Sequence, residues 1–306
     1  MELQTLSDNF AIPGALTFSE GNGGLIRASI STPACTAEVY LHGAHLTAWQ
    51  PTGQQPVIFL SETSLFASDK AIRGGVPVIF PWFGARAATP ASSRTDGPSH
   101  GFARTSPWDV AFAAIAGDDL HLTLTLGPSD VSRALGYDHF KVAIEFIFGS
   151  ELRIRLTVAN QGTETLYFEE ALHTYFSVGD AEKVAIHGLV DAQYLDKTDG
   201  FKRKTQTEPV IHLTGEIDRL FLNTAATATL DDTNLNRRIT VSKTNSLSTI
   251  VWNPWAEGSA KMADMTPENW RHMACIETGN ANENILALAP SQAHTMEAHV
   301  IVEPLA

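Results

Sequence analysis

Cysteine is nearly absent. The 306 residues contain two, Cys35 and Cys275, with no C-x-x-C spacing. That is too few for a disulfide framework and the wrong pattern for a cysteine-rich metal site, so a reduced, cytoplasmic setting is expected. Long apolar runs are missing too: no stretch approaches the roughly 18 uninterrupted apolar residues of a membrane span. The first basic residue is Arg27, so no positively charged region precedes an apolar one as it would in a secretory signal. Basic charge is the minority, with 21 Lys plus Arg against 34 Asp plus Glu and a formal net charge of −13. Such a balance repels phosphate backbones and anionic lipids on average, which argues against nucleic-acid and membrane-surface partners. Any anion-binding site must be gathered locally.

What is present is a water-soluble composition, 43% hydrophobic and 18% charged, able to bury a sizeable core. Alternating or β-branched runs recur at residues 25–30, 34–40, 120–126, 141–148, 151–158, 239–242, 249–252 and 294–302. Their length and Thr/Val/Ile/Phe content predict strands. Turn residues separate them, as at Gly127-Pro128, Gly149-Ser150 and Asp199-Gly200. Amphipathic stretches long enough for ordinary helices are hard to find, and only short turns near 64–67 and 267–270 suggest themselves. No repeat of about 20–50 residues occurs, which excludes propellers and solenoids. The expectation is all-β: one large antiparallel β-sandwich domain over residues 1–306. Residues 84–101 form the longest strand-poor stretch in this reading and are expected to be a functional loop, because they join two motif-like segments.

Several signatures fail on context. Gly97-Pro98-Ser99-His100-Gly101 matches G-x-S-x-G, but a nucleophile elbow needs a strand before it and a helix after it. A polar loop precedes this one, and Pro107 opposes a long helix after it. The glycines at 21, 23 and 24 complete no dinucleotide fingerprint, and there is no phosphate-binding P-loop. His42 and His45, three apart in a strand-rich segment, point to opposite faces. With no H-E-x-x-H present, a metal site has little support.

Four segments remain. Ile72-Arg73-Gly74-Gly75-Val76-Pro77 runs into an apolar stretch ending Pro81-Trp82-Phe83-Gly84; its glycines and prolines fix the backbone, and Arg73 stands where backbone can approach a ligand. Ser99-His100-Gly101-Phe102-Ala103-Arg104 follows the loop. In Glu169-Glu170-Ala171-Leu172-His173-Thr174-Tyr175-Phe176, alternation puts His173 and Tyr175 on one face and Leu172, Thr174 and Phe176 on the other. In Cys275-Ile276-Glu277-Thr278-Gly279-Asn280 a carboxylate follows a small apolar run, which places Glu277 either at a wet strand end or in a polar cleft.

Together with Asp218-Arg219 and Val251-Trp252-Asn253-Pro254-Trp255, and in this order, these motifs resemble the hexose-6-phosphate mutarotases, or glucose-6-phosphate 1-epimerases, of the aldose 1-epimerase superfamily. The resemblance covers residues 73–280. It implies a galactose mutarotase-like supersandwich with few short helices and an open cleft for a sugar ring. It further implies His173 and Glu277 as the catalytic pair, Arg73 and Arg104 as ligands of the substrate phosphate, and Asp218 on sugar hydroxyls. His100 is expected to orient substrate or to cap its loop. One departure is Ser99, which stands where some members carry a Gln that contacts ligand; its shorter hydroxyl reaches substrate through water or not at all.

The chemistry suits these residue types independently. Exchanging anomers means taking a proton from the anomeric hydroxyl and giving one to the ring oxygen, then reversing the roles after C1 rotates. A carboxylate and an imidazole do this with no metal or organic cofactor. Guanidinium matches phosphate oxygens as a planar fork, where ammonium is a point charge. From residue 70 to 104 the chain has five basic residues (Lys70, Arg73, Arg86, Arg94, Arg104) and one acid, Asp96, a local +4 inside an acidic whole. The expected partner is therefore a small sugar phosphate bound by a monomer. The alternatives are an epimerase of unphosphorylated sugars and a non-catalytic carbohydrate-binding module. Trp82, Trp252 and Trp255 serve either sugar stacking or the core, and Lys202-Arg203-Lys204 reads as a solvated hairpin face.

Overall fold

The computed structural model describes residues 2–305. Period-two burial builds its strands: Asp119–Leu126 alternates half-buried with buried positions, and Leu152–Asn160 does the same. Each such strand has one apolar face to cover, and two large antiparallel sheets cover each other. The nine-stranded sheet runs Val210–His212, Val184–His187, Ala228–Asp232, Arg237–Thr244, Ala293–Pro304, Leu152–Asn160, Phe140–Phe148, Asp119–Leu126, Asp109–Ala116. The eight-stranded sheet runs Lys202–Thr205, Gln193–Asp196, Ile217–Phe221, Ser248–Asn253, Met273–Asn280, Glu170–Leu172, Val78–Ile79, and Tyr175–Ser177 also pairs with Met273–Asn280. A four-stranded sheet spans Leu16–Glu20 to His45–Pro51, and Leu166–Phe168 pairs with Leu286–Leu288. The architecture is the all-β sandwich expected from the sequence.

One continuous core joins the layers. Leu122, Ile144 and Leu156 of the nine-stranded sheet pack in the same cluster as Phe80, Phe176, Val251 and Ile276 from the other side. Phe80 is fully buried, with its ring 5.3 Å from Phe140, 5.7 Å from Phe168 and 5.9 Å from Phe102. Burying such a side chain contributes about 1.5–3 kcal/mol.

Helices are few and short as expected, but their positions differ from expectation. Helices form at Leu3–Phe10, Asp130–Ala134 and Trp255–Lys261, whereas residues 64–67 form none and the 267–270 turn appears as Asn269–His272. Local capping explains two of these helices. Ser129 and Ser132 form a reciprocal capping box ahead of Asp130–Ala134, and the Asn253 side chain accepts the Trp255 N–H at 2.8 Å. Residues 52–77 are as strand-poor as 84–101, held by isolated bridges such as Leu60 with Gly74 and Ile58 with Phe176. No helix among the described residues is long and apolar enough to cross a membrane.

Candidate active site

The Met273–Asn280 strand is buried at every position. One face puts Ala274 and Ile276 into the main core; the other puts Cys275 into a small cluster with Tyr175, Met273, Phe59 and Met265. Glu277 follows on that second face, 1% exposed, on the floor of a cavity of about 330 Å³. Of the two placements open to it, the polar cleft is the one observed. The cavity falls in the usual range for small-molecule sites, ~300–1,000 Å³.

His173 reaches the same floor from a break between Glu170–Leu172 and Tyr175–Ser177, where its N–H bonds Pro77 O at 3.1 Å and Tyr175 N–H bonds Gly75 O at 3.0 Å. Its Nε2 lies 3.3 Å from Glu277 Oε1. Tyr175 stacks beneath it at 4.8 Å and 13°, and Trp252 meets it edge-on at 5.8 Å. The shared face of His173 and Tyr175 is thus observed, with Leu172 and Phe176 in the core.

Arg73 and Arg104 stand on the cavity wall. Two glycines make their approach possible. Gly75 has φ +66, and a Cβ there would lie 2.3 Å from His45 Nε2. Gly101 has φ +70, and a Cβ would lie 2.1 Å from Phe80 O. Only glycine fits both the left-handed backbone and the space. Arg73 Nε donates to Asp264 Oδ2 at 3.1 Å and its Nη1 to the Tyr175 hydroxyl at 3.0 Å. Arg104 Nη2 donates to Ser99 O at 2.8 Å, so Ser99 serves the arginine through its backbone while standing exposed at the rim. His100 closes the 84–101 loop, its N–H on Gly84 O at 2.7 Å and its Nδ1 accepting from Gly84 N–H at 3.3 Å. Its ring also lines the cavity, 5.7 Å from that of His173, so it is placed for both roles expected of it.

The +4 inventory from 70 to 104 is not a cluster. Arg86 is buried against the Trp82 ring at 4.7 Å and bonds Leu135 O at 3.1 Å; Arg94 pairs with Asp96 at 2.6 Å and Lys70 with Asp69 at 3.0 Å. The third cavity cation comes from elsewhere. Lys197 Nζ pairs with Asp218 Oδ2 at 2.7 Å and lies 5.3 Å from the Phe83 ring centre. Asp218 keeps its other oxygen buried and unpartnered, an acceptor facing a cavity that it lines.

Charge follows from this packing. Burial pushes the Glu277 carboxyl well above the usual carboxylate range, Lys197 opposing and Asp218 adding to the rise. Burial also pushes His173 well below ordinary imidazole, helped by His100, Arg104 and Arg73. His100 is pushed down to about 3 by burial and by Arg104, Lys197 and Arg73, which makes it a neutral ring. The empty floor therefore favours a pair that holds one proton without net charge. Glu277 Oε2 and His173 Nδ1 are buried without a hydrogen-bond partner among the described residues.

Sequence reasoning missed Lys197, Met262 and Phe83 on this cavity, and the Asp264 carboxylate that pairs with Arg73. Phe83 carried a findable signal, since it stands inside the quoted Pro81-Trp82-Phe83-Gly84 run; its N–H is held at 2.8 Å by Glu169. Trp82 and Trp255 turn out structural: the Trp82 indole donates to Pro98 O at 2.9 Å, and Trp255 packs 4.2 Å from Trp270. Trp252 does line the cavity, and Lys202, Arg203 and Lys204 lie on an edge strand away from it. His173, Cys275 and Glu277 offer metal donors within 4.8 Å of one another. Tetrahedral zinc with bonds of about 2.0–2.3 Å needs its donors closer than that, so the thiol would have to move.

Comparison with known proteins agrees with this geometry. A relative from Escherichia coli K12, named "putative glucose-6-phosphate 1-epimerase", is 34% identical over 269 residues, covering 88% of each chain. One of the same name from Salmonella typhimurium is 35% identical over 264 residues, covering 86% of this chain and 84% of the relative. A solved structure from Salmonella typhimurium, described as a "putative mutarotase", superposes with a TM-score of 0.88 at 29% identity over 96% of both chains. The family model for aldose 1-epimerase matches residues 27–300, a span that holds every residue placed on the cavity above. The chain belongs to the aldose 1-epimerase family.

Proposed function

We propose that the protein interconverts the α and β anomers of a hexose 6-phosphate, with glucose 6-phosphate the foremost substrate, through His173 and Glu277. Family membership makes it an isomerase that exchanges sugar anomers; the phosphate and the residue roles are our reading. What carries it is the placement of an imidazole and a carboxyl 3.3 Å apart on a cavity floor whose wall presents two arginines.

In ring opening, one member of the pair takes the proton of the anomeric hydroxyl. The C1–O1 bond gains double-bond character, the C1–O5 bond breaks towards O5, and the other member protonates O5. Rotation about C1–C2 and attack of O5 on the opposite face restore the ring, with each member now reversing its role. With Glu277 as base and His173 as acid, the working state is the charged form of the pair. A dianionic phosphate on Arg73 and Arg104 favours that state, since it offsets two of the cations that add to burial in holding His173 down. Asp218 and Lys197, which line the cavity, bind ring hydroxyls in this proposal.

The test is anomer exchange measured by NMR on glucose 6-phosphate and on glucose. Glu277→Gln and His173→Asn should each slow catalysed exchange by about 10²–10⁴-fold. Arg104→Ala should raise KM for the phosphate ester by more than it alters exchange of glucose. Equal catalysis of glucose and glucose 6-phosphate by the parent removes the phosphate from the reading, and activity surviving in the Glu277→Gln/His173→Asn double variant removes the pair.

A further inference from the structure

We propose that Asp264 is a resident anion that occupies Arg73 in the empty site and must be displaced by the anionic group of the substrate, so that it sets how strongly the site takes anions. This rests on the reading of Arg73 and Arg104 as the phosphate-binding pair.

The two arginines are not equivalent. Arg73 is held by the Asp264 carboxylate at 3.1 Å and by the Tyr175 hydroxyl at 3.0 Å. Arg104 donates to a backbone carbonyl, and among the described residues no carboxylate lies within salt-bridge distance of it. Lys197 is already paired with Asp218. Among the described residues, Arg73 and Lys197 on the cavity are paired with carboxylates and Arg104 is not. The Arg73 and Asp264 side chains are 25% and 20% exposed, so their pair sits open to an arriving solute rather than sealed in the core.

The surrounding chain allows the carboxylate to leave. Asp264 belongs to the connection between Trp255–Lys261 and Asn269–His272. Thr266 is pinned there, its N–H on Asn269 Oδ1 at 2.9 Å and its carbonyl on the Ser259 hydroxyl at 2.8 Å, while Met265 is buried beside Tyr175. Asp264 stands between that anchor and Met262, which lines the cavity. Its side chain can swing into water without opening the core, and Met262 is the neighbour placed to respond. A phosphate monoester brings nearly two charges and three acceptor oxygens, enough to engage Arg104 and take over the Arg73 fork. A neutral sugar has nothing to exchange for the Asp264 carboxylate. When the binding-competent state is a fraction of the population, apparent affinity falls by that fraction. Weak inorganic anions, which lack the contacts a sugar ring adds, are then kept from filling the cavity.

The experiment measures inhibition of exchange by inorganic phosphate, and KM for glucose 6-phosphate, in the parent and in Asp264→Asn, Arg73→Ala, Arg104→Ala and Arg73→Ala/Asp264→Asn. If Arg73 is free about a tenth of the time, Asp264→Asn tightens phosphate inhibition about 10-fold. The gain vanishes in the Arg73→Ala background. Phosphate inhibition that is unchanged or weakened in Asp264→Asn overturns the inference, as does a gain that persists without Arg73. If Arg73→Ala and Arg104→Ala weaken phosphate while Asp264→Asn fails to tighten it, the inference alone falls. If neither arginine variant affects phosphate, the phosphate reading falls and takes the inference with it.

Discussion

His173 shows how a residue's chemistry is set by neighbours remote in sequence. Burial and the charges of His100, Arg104 and Arg73 hold its imidazole well below 6.5, so the free protein keeps a neutral ring at neutral pH. Burial is the larger cause, and removing one of the opposing cations shifts such a group back towards its ordinary value. In Arg104→Ala the imidazole titration of His173 should therefore move to higher pH, as read by NMR of the ring nitrogens, with His173→Asn assigning the signal. A ring already protonated at pH 7 in the parent, or a midpoint indifferent to Arg104, contradicts this account. The pair, the two arginines and Asp218 were all legible because each sits inside a motif. Lys197 and Asp264 were not: each follows the end of a regular element without a motif of its own, and each meets its partner only through the fold. Counting charge along a segment misled for the same reason. Arg86 and Arg94 share a loop with His100 yet spend their guanidinium groups on backbone carbonyls and Asp96.

Among the elements, strands were easy to read and helices were not. Alternation over eight or nine residues survives single exceptions, as in Asp119–Leu126 and Phe140–Phe148. Leu3–Phe10 has no side-chain cap and a single buried residue, Leu6, so neither cap nor stripe announces it. The turn from Arg237–Thr244 into Ser248–Asn253 carries the chain from one large sheet to the other. Lys243 spans that corner, its Nζ bonding Ser248 O and Thr249 Oγ1, both at 2.7 Å. Burial without a carboxylate pulls this lysine from 10.5 down to about 7. Between those values the unfolded chain binds the extra proton, so the corner should gain stability as pH rises, by up to about 1.4 kcal/mol per pH unit. Urea unfolding of the parent and Lys243→Met at pH 7 and pH 9 isolates this slope as the difference between them. A parent that gains no more than the variant over that interval refutes the buried, neutral lysine.

For the molecule as a whole, the core reaches from Leu6 to Val300 and includes residues of the four-stranded sheet and of both large ones. We propose on that ground that residues 1–306 act as one folding domain. Far-UV circular dichroism and tryptophan fluorescence should then report a single coincident transition in urea. Two separated transitions would divide the chain into independent units. The net charge of −13 is a property of this whole, and the cavity is its local exception.

The floor strand carries a consequence for inheritance. Along Met273–Asn280 the side chains alternate, Ala274 and Ile276 entering the core while Cys275 and Glu277 turn towards the cavity. A one-residue slip of its pairing would reverse that assignment, pressing a carboxylate into the hydrophobic layer and presenting isoleucine to the sugar. Reading frame at this strand is thus shared property of folding and catalysis. The side-chain pattern of the strand, rather than the length of the 254–272 connection, therefore holds the register, and substitutions that blur its alternation would loosen fold and site together.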